Sequence, residues 1–257
     1  MTNQNVPKYI YELLQCCNVA LIVVDMQNDF TVRPLIQDGK IPSKINLNDG
    51  YDLCHLNGGS LYVPEAEQII GVINSLLRVA KWSIFTKDWH PCNHISFASN
   101  SRGKKVGDTI EVCVPAGEAI FSHDATIING CCCYEQFLWP NHSVQCTWGA
   151  KINKNLCTNL ASCFVLKGDD PAVDSYSAFF NNCGGESTGL NEWLSEHNIN
   201  TLIITGVETA HCPYFTALDA LNLGYKVIFL LAALRGISQD TSNAAIQDLR
   251  ENGACIV

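Results

Sequence analysis

Seven residues in this sequence are of types that could do chemistry together: Asp25, Asp88, His90, His94, His142, Lys167 and Cys212. A thiol attacks a carbonyl carbon well only when one neighbour takes its proton and another stabilises its charge. An aspartate can take that proton and later hand it to a leaving amine, and a lysine can stabilise a thiolate. Asp25, Lys167 and Cys212 supply those parts with no histidine acting as base. His211 precedes Cys212, but successive residues point apart, so it reads as a pocket wall. A second group is Asp88-Trp89-His90, with His94 four residues on and His142 in an aromatic-rich segment. An Asp-x-His pair on extended chain puts both side chains on one face. One carboxylate and two imidazoles suit zinc, iron or manganese, with positions left open for water or ligand. Each residue alone has a plainer account, since an aspartate after a strand commonly caps a helix.

The elements around them decide between the two accounts. Val19–Val24 is an uninterrupted apolar run, VALIVV, ending at Asp25, the pattern of a central parallel strand. Further strands are expected at 82–85, 163–166, 199–205, 225–231 and 254–257. Helices are expected at 9–17, 65–79, 189–196, 214–223 and 238–251. The 65–79 segment carries Ile69, Ile70, Ile73, Leu76 and Leu77 at helical spacing for one buried face. The segment 201–221 matters most: a buried strand, a turn from Gly206 to His211, then Cys212 and Pro213 opening a helix. Proline is favoured at the first helical position, and the helix N-terminus favours a thiolate. Strands alternating with helices predict an α/β fold, a single-domain three-layer α/β/α arrangement over residues 1–257 with a central, mostly parallel sheet. Residues 100–134 read as an inserted excursion holding a hairpin, and 26–52 and 137–147 as loops. Asp25, Asp88, Lys167 and the turn to Cys212 then each lie at the carboxyl end of a strand, the edge where open α/β sheets bind ligands. The plainer account would have to hold four times over.

At 257 residues the chain can bury one large core. Hydrophobic content of 47% and charged content of 16% belong to a globular chain rather than a disordered one. A net charge of -9 argues against nucleic acid or an anionic membrane as partner. No apolar run approaches the roughly 20 residues that cross a bilayer, and no basic start precedes an apolar run, so a cytoplasmic location is expected. Fourteen cysteines include no C-x-x-C spacing, and several sit side by side or inside apolar stretches. They are expected as thiols of a reduced protein, most of them acting as small hydrophobes.

Six blocks carry a family resemblance. VALIVVDMQNDF, GGSLYVPEAEQII, TKDWHPCNHISFAS, LWPNHSVQCTWGA, KGDDPAVDSYSAF and GVETAHCPYFTALDALNLGYKV, in that order, resemble nicotinamidases of the isochorismatase-like cysteine hydrolase superfamily. The resemblance implies a catalytic triad of Asp25, Lys167 and Cys212, and metal ligands at Asp88, His90 and His142, with His94 near the metal. It implies one divalent ion, zinc before iron or manganese. Phe30, Trp139 and Tyr176 would wall a pyridine pocket beside His211. The backbone N–H groups of Glu208 and Cys212 would form an oxyanion hole next to a cis peptide. The implied substrate is nicotinamide, its ring nitrogen on the metal, hydrolysed through a thioester to nicotinate and ammonia as a step of NAD salvage. Lys167 would sustain a thiolate near neutral pH. A homo-oligomer is left open.

The sequence departs from the family at several positions. Glu208 stands where a small residue is usual, Ala210 where an acidic one is, Pro213 where an aliphatic one is, and Trp148 where a proline is. Glu208 would raise the thiol pKa unless its side chain turns away. Two alternatives are a relative cleaving another small amide or an isochorismate-like vinyl ether, and a silent binding protein of the same fold. The intact Asp-Trp-His block with His142 opposes the first. The presence of all six triad and metal residues opposes the second.

Overall fold

The run of six apolar residues after Asn18 forms a strand buried along its whole length, as side chains pointing to both faces require. The computed structural model describes residues 6–36, 55–115 and 125–257. In chain order the strands are Val19–Val24 (β1), Trp82–Asp88 (β2), Thr109–Pro115 (β3), Thr126–Ile128 (β4), Cys131–Phe137 (β5), Cys163–Lys167 (β6), Thr201–Val207 (β7), Lys226–Arg235 (β8) and Cys255–Ile256 (β9). The α-helices are Lys8–Leu13 (α1), Asn28–Thr31 (α2), Ile70–Leu77 (α3), Leu190–Glu196 (α4), Cys212–Asn222 (α5) and Gln239–Glu251 (α6).

The central sheet has the order β6-β2-β1-β7-β8-β9, and every neighbouring pair is parallel. From β1 the chain moves outward to β2 and β6, then returns to β7 on the other side of β1. The strand order therefore reverses beside β1, which opens a crevice at the carboxyl ends of β1, β2, β6 and β7. Alternate residues of β1 feed two cores. Leu21 and Val23 pack with Ile73 and Leu76 of α3, while Ala20, Ile22 and Val24 pack with Leu194 of α4, Ala217 of α5 and Leu249 of α6. Each Val, Leu or Ile among them, fully buried, contributes about 1.5–3 kcal/mol. The three-layer, mostly parallel α/β fold expected from the sequence is the one observed.

Several boundaries differ from expectation, each for a local reason. The helix expected at 9–17 stops at Leu13, and the chain turns before entering β1. The 65–79 helix begins as a 3₁₀ turn, Ala66–Ile69, before α3. Strand β2 runs on to Asp88 and β6 to Lys167, so these residues close their strands rather than follow them. The excursion is a three-stranded antiparallel sheet of order β3-β5-β4 and extends to Phe137. Its buried residues Cys132, Tyr134 and Gln136 alternate along β5, but cysteines and a glutamine do not announce an inner face. Residues 37–52 of the expected first loop, and 116–124 of the excursion, lie outside the described residues.

The cysteines correct the sequence reading. Cys113 and Cys133 face each other across β3 and β5 and are joined as a disulfide. Of the eleven free cysteines among the described residues, only Cys132, Cys183 and Cys212 are buried, and Cys16, Cys17, Cys92, Cys146 and Cys255 are exposed. Most therefore do not serve as core hydrophobes. Among the described residues, no helix is long and apolar enough to cross a membrane.

Candidate active site

Asp25 follows β1 in a left-handed conformation with φ of 49°, which aspartate tolerates better than most residues. Thr86 of β2 fixes it: the hydroxyl donates to Asp25 Oδ1 at 2.6 Å and accepts from the Asp25 N–H at 3.1 Å. Asp88 and Lys167 are register partners across β2 and β6. Lys167 Nζ bonds the Asp88 carboxylate, lies 2.9 Å from Asp25 Oδ2, and donates to Ser175 O at 3.1 Å and Cys212 Sγ at 3.2 Å. Cys212 is the first residue of α5, with Pro213 in the first turn. The structure thus brings Asp25, Lys167 and Cys212 together, all 8% exposed or less.

Their electrostatics follow from one cation serving three acidic groups. Burial acts to discharge Lys167, but Asp25 and Asp88 outweigh it and keep the ammonium charged. Burial acts upward on Asp88 too, yet Lys167 and His90 overcome it and hold that carboxyl well below the usual range. At Asp25 burial wins over Lys167 and the carboxyl is raised. Burial also pushes the Cys212 thiol well above its ordinary value, and the pull of Lys167 does not offset it. Burial first, and then the two carboxyls that compete for the lysine charge, work against the thiolate expected near neutral pH.

The second group gathers beside the first. His90 Nε2 lies 3.6 Å and His142 Nε2 3.7 Å from Asp88 Oδ2, and all three side chains are buried. His90 Nδ1 bonds Gly168 O at 2.7 Å, and His142 Nδ1 bonds Pro140 O at 2.8 Å. A carbonyl only accepts, so each Nδ1 carries a proton and each Nε2 is the ring atom turned toward Asp88. That donor set, oriented by its backbone partners, fits a divalent metal. His94 stands behind His90, its ring stacked at 4.1 Å, with Nδ1 on Ser96 Oγ at 2.7 Å. Burial holds its pKa down to about 4, and its Nε2 faces Asp174 Oδ1 at 4.0 Å rather than Asp88.

Phe30, Trp139, Tyr176 and His211 all line one cleft whose floor is Asp88, His90, His142 and Cys212. Leu61, Val63 and Ile237 complete its apolar wall, and none of the three was expected from the sequence. The Val207–Glu208 peptide is cis. Among the described residues, the N–H groups of Glu208 and Cys212 meet no protein acceptor in the turn that follows. The Glu208 carboxylate turns aside, onto His211 Nδ1 and the Ile237 N–H. Ala210 does not need to cap α5, because His211 occupies that position.

Sequence reasoning also missed the clamp that positions these groups. Gln27 donates to Asp88 O at 2.8 Å and accepts from the Asp88 N–H at 2.8 Å. Asp29 accepts the N–H of Ser143, next to His142, at 2.7 Å and that of Ser60 at 3.0 Å. Asn28 reaches Trp148 O at 2.8 Å. Three polar residues after a buried strand read as a solvated loop; their burial comes only from chain that returns far along the sequence. Gln136 of β5 is another, donating to Asp174 Oδ2 and to the Tyr176 hydroxyl.

Known proteins share this arrangement of chain and sheet. Residues 132–257 match the Isochorismatase domain family. The chain is 34% identical over 235 residues to the nicotinamidase of Escherichia coli, covering 89% of each protein. The yeast nicotinamidase bound to the inhibitor nicotinaldehyde superposes with a TM-score of 0.74 at 30% identity, covering 93% of this chain and 99% of that one. The pyrazinamidase of Pyrococcus horikoshii in complex with zinc gives 0.63 at 30% identity, covering 93% and 98%. With identity above 30% over nearly the whole length of its relatives, this chain is an enzyme of the nicotinamidase family.

Proposed function

We propose that this enzyme hydrolyses nicotinamide to nicotinate and ammonia through a thioester on Cys212, a step that serves NAD salvage. The observation that carries the reading is Lys167 Nζ standing between Asp25, Asp88 and Cys212 Sγ, because it joins the candidate nucleophile to the candidate metal ligands. Asp88, His90 and His142 would hold a divalent ion, with zinc the first choice for two imidazoles and one carboxylate. Bound there, the metal supplies a Lewis acid within the cleft.

The protein groups perform the acyl transfer. Phe30, Trp139 and Tyr176 confine a flat aromatic ring and exclude water from it. The Cys212 proton passes to Asp25 as sulfur attacks the carboxamide carbon, so charge forms only where the N–H groups of Glu208 and Cys212 can receive the developing oxyanion. The carbon–nitrogen bond then breaks, and the nitrogen takes the proton from Asp25 and leaves as ammonia. Water enters, gives a proton to Asp25 and attacks the thioester carbon; sulfur departs and regains that proton. Lys167 stays protonated throughout and offsets the negative charge of the group. Residues 1–257 are proposed to work as one hydrolase unit, whose excursion delivers Gln136 to Asp174 and the Tyr176 hydroxyl, two residues of the pocket wall. A reducing compartment such as the cytoplasm is proposed from the eleven free thiols among the described cysteines, with the Cys113–Cys133 disulfide as the exception to it.

Purified protein should release ammonia from nicotinamide. Cys212→Ala should lower kcat by roughly a thousandfold or more with little change in melting temperature. Turnover that persists in Cys212→Ala would sink the covalent route. Turnover of a different amide alone would move the substrate assignment.

A further inference from the structure

Glu208 brings a carboxylate into the pocket wall that the acyl transfer above does not use. The residue is only 8% exposed, and both its oxygens are engaged. Oε1 accepts from His211 Nδ1, and Oε2 accepts the Ile237 N–H at 2.9 Å. The three residues come from the end of β7, the start of α5 and the segment between β8 and α6, and all three line the cleft. One side chain therefore fastens three walls of the pocket to one another. The segment carrying Ile237 has little slack: a Cβ at Gly236 would fall 3.3 Å from Glu208 Oε2 and 2.1 Å from Ser242 Oγ.

The bond to a carboxylate places a proton on His211 Nδ1. That leaves Nε2, which has no protein partner among the described residues, as the polar atom His211 offers to the cleft. The ring orientation is fixed from two further sides, edge to face with Trp139 at 5.0 Å and with Tyr176 at 5.3 Å. We propose that Glu208 is a specificity-setting positioning residue. It locks His211 in the Nδ1–H form, so that Nε2 accepts a hydrogen bond from the carboxamide N–H of a flat aromatic amide, and it holds Ile237 against the ring. The geometry favours amides, which can donate, over esters, which cannot, and unsubstituted rings over ring-alkylated ones. This inference rests on the amidase reading of the same cleft.

Two independent measurements test it on the full-length protein. Nitrogen-15 NMR of labelled histidine should show His211 as the Nδ1–H tautomer in the wild type and lose that signature in Glu208→Ala; this arm needs no substrate. In kinetics, Glu208→Ala should raise KM for nicotinamide about tenfold with kcat within roughly threefold, and cut the preference over 5-methylnicotinamide about fivefold. Glu208→Gln keeps one amide oxygen to accept one of the two N–H groups and should fall between; it also serves if the alanine variant does not fold. In a His211→Phe background, Glu208→Ala should add less than about twofold to KM, the mark of an effect that passes through the histidine. Unchanged KM and preference in a folded Glu208→Ala protein would overturn the proposal, as would an Nε2–H His211 in the wild type or additive effects in the double variant. If the wild type leaves nicotinamide intact, the amidase reading fails on its own, while the NMR still decides the Glu208–His211 pair.

Discussion

Lys167 is the residue on which the site turns. Its ammonium meets Asp25, Asp88, Cys212 and a backbone carbonyl, and it is 1% exposed. Removing one partner of a buried ion pair costs more than the pair is worth, because the remaining charge is left without solvent or counter-ion. Lys167→Met should therefore destabilise the protein by about 3–5 kcal/mol in urea denaturation and abolish turnover. A stable but inactive Lys167→Met protein would show that one of the two carboxyls accepts a proton when the cation leaves. Asp25, Lys167 and Cys212 were legible in the sequence because each ends or follows a recognisable apolar strand. The bond from Lys167 to Asp88 was not. The two residues are 79 positions apart, and only the register of β2 against β6 sets them side by side.

Two short elements hold the rest of the site in place, and neither looks remarkable as sequence alone. The first is the Gln27-Asn28-Asp29 turn, which clamps the end of β2 and the segment bearing His142. Asp29→Ala would leave the buried N–H of Ser143 unpaired, a loss of about 1–3 kcal/mol, and would also release the exposed Ser60 N–H to water. The measurable outcome is a lower melting temperature together with weaker metal retention, since His142 adjoins Ser143. The second is Gly168, at φ of 69°, whose missing side chain makes room for the His90 ring; a Cβ there would fall 2.5 Å from His90 Cε1. Gly168→Ala should displace that imidazole and reduce bound metal measured by elemental analysis, with a backbone cost of about 1 kcal/mol. Full metal content in a folded Gly168→Ala protein would mean that the ring moves aside freely.

At the scale of the molecule, the ligands of the metal group come from the end of β2, from His90 just past it and from the segment after β5, so a bound ion would tie that segment to the central sheet. An ion that binds only the folded chain stabilises it by about 2.7 kcal/mol at a hundred times its dissociation constant. Chelation should therefore lower the melting temperature as well as activity, and added zinc should restore both. Loss of activity with no change in melting would place the ion's effect in the chemistry alone. The residue types and their periodicity determined the α/β class, the central strand β1, the helix opening at Cys212 and the identity of the residues that could react, because apolar runs and chemical function are local properties. Only the tertiary structure decided that the triad and metal groups share Lys167, that burial works against a Cys212 thiolate, that Cys113 faces Cys133, and that Glu208 spends its carboxylate on His211 and Ile237. Each of those depends on distance and burial between segments far apart in the chain, and distance and burial exist only once the strands have found their order. The four strand ends proposed from spacing thus became one site through the reversal of strand order beside β1.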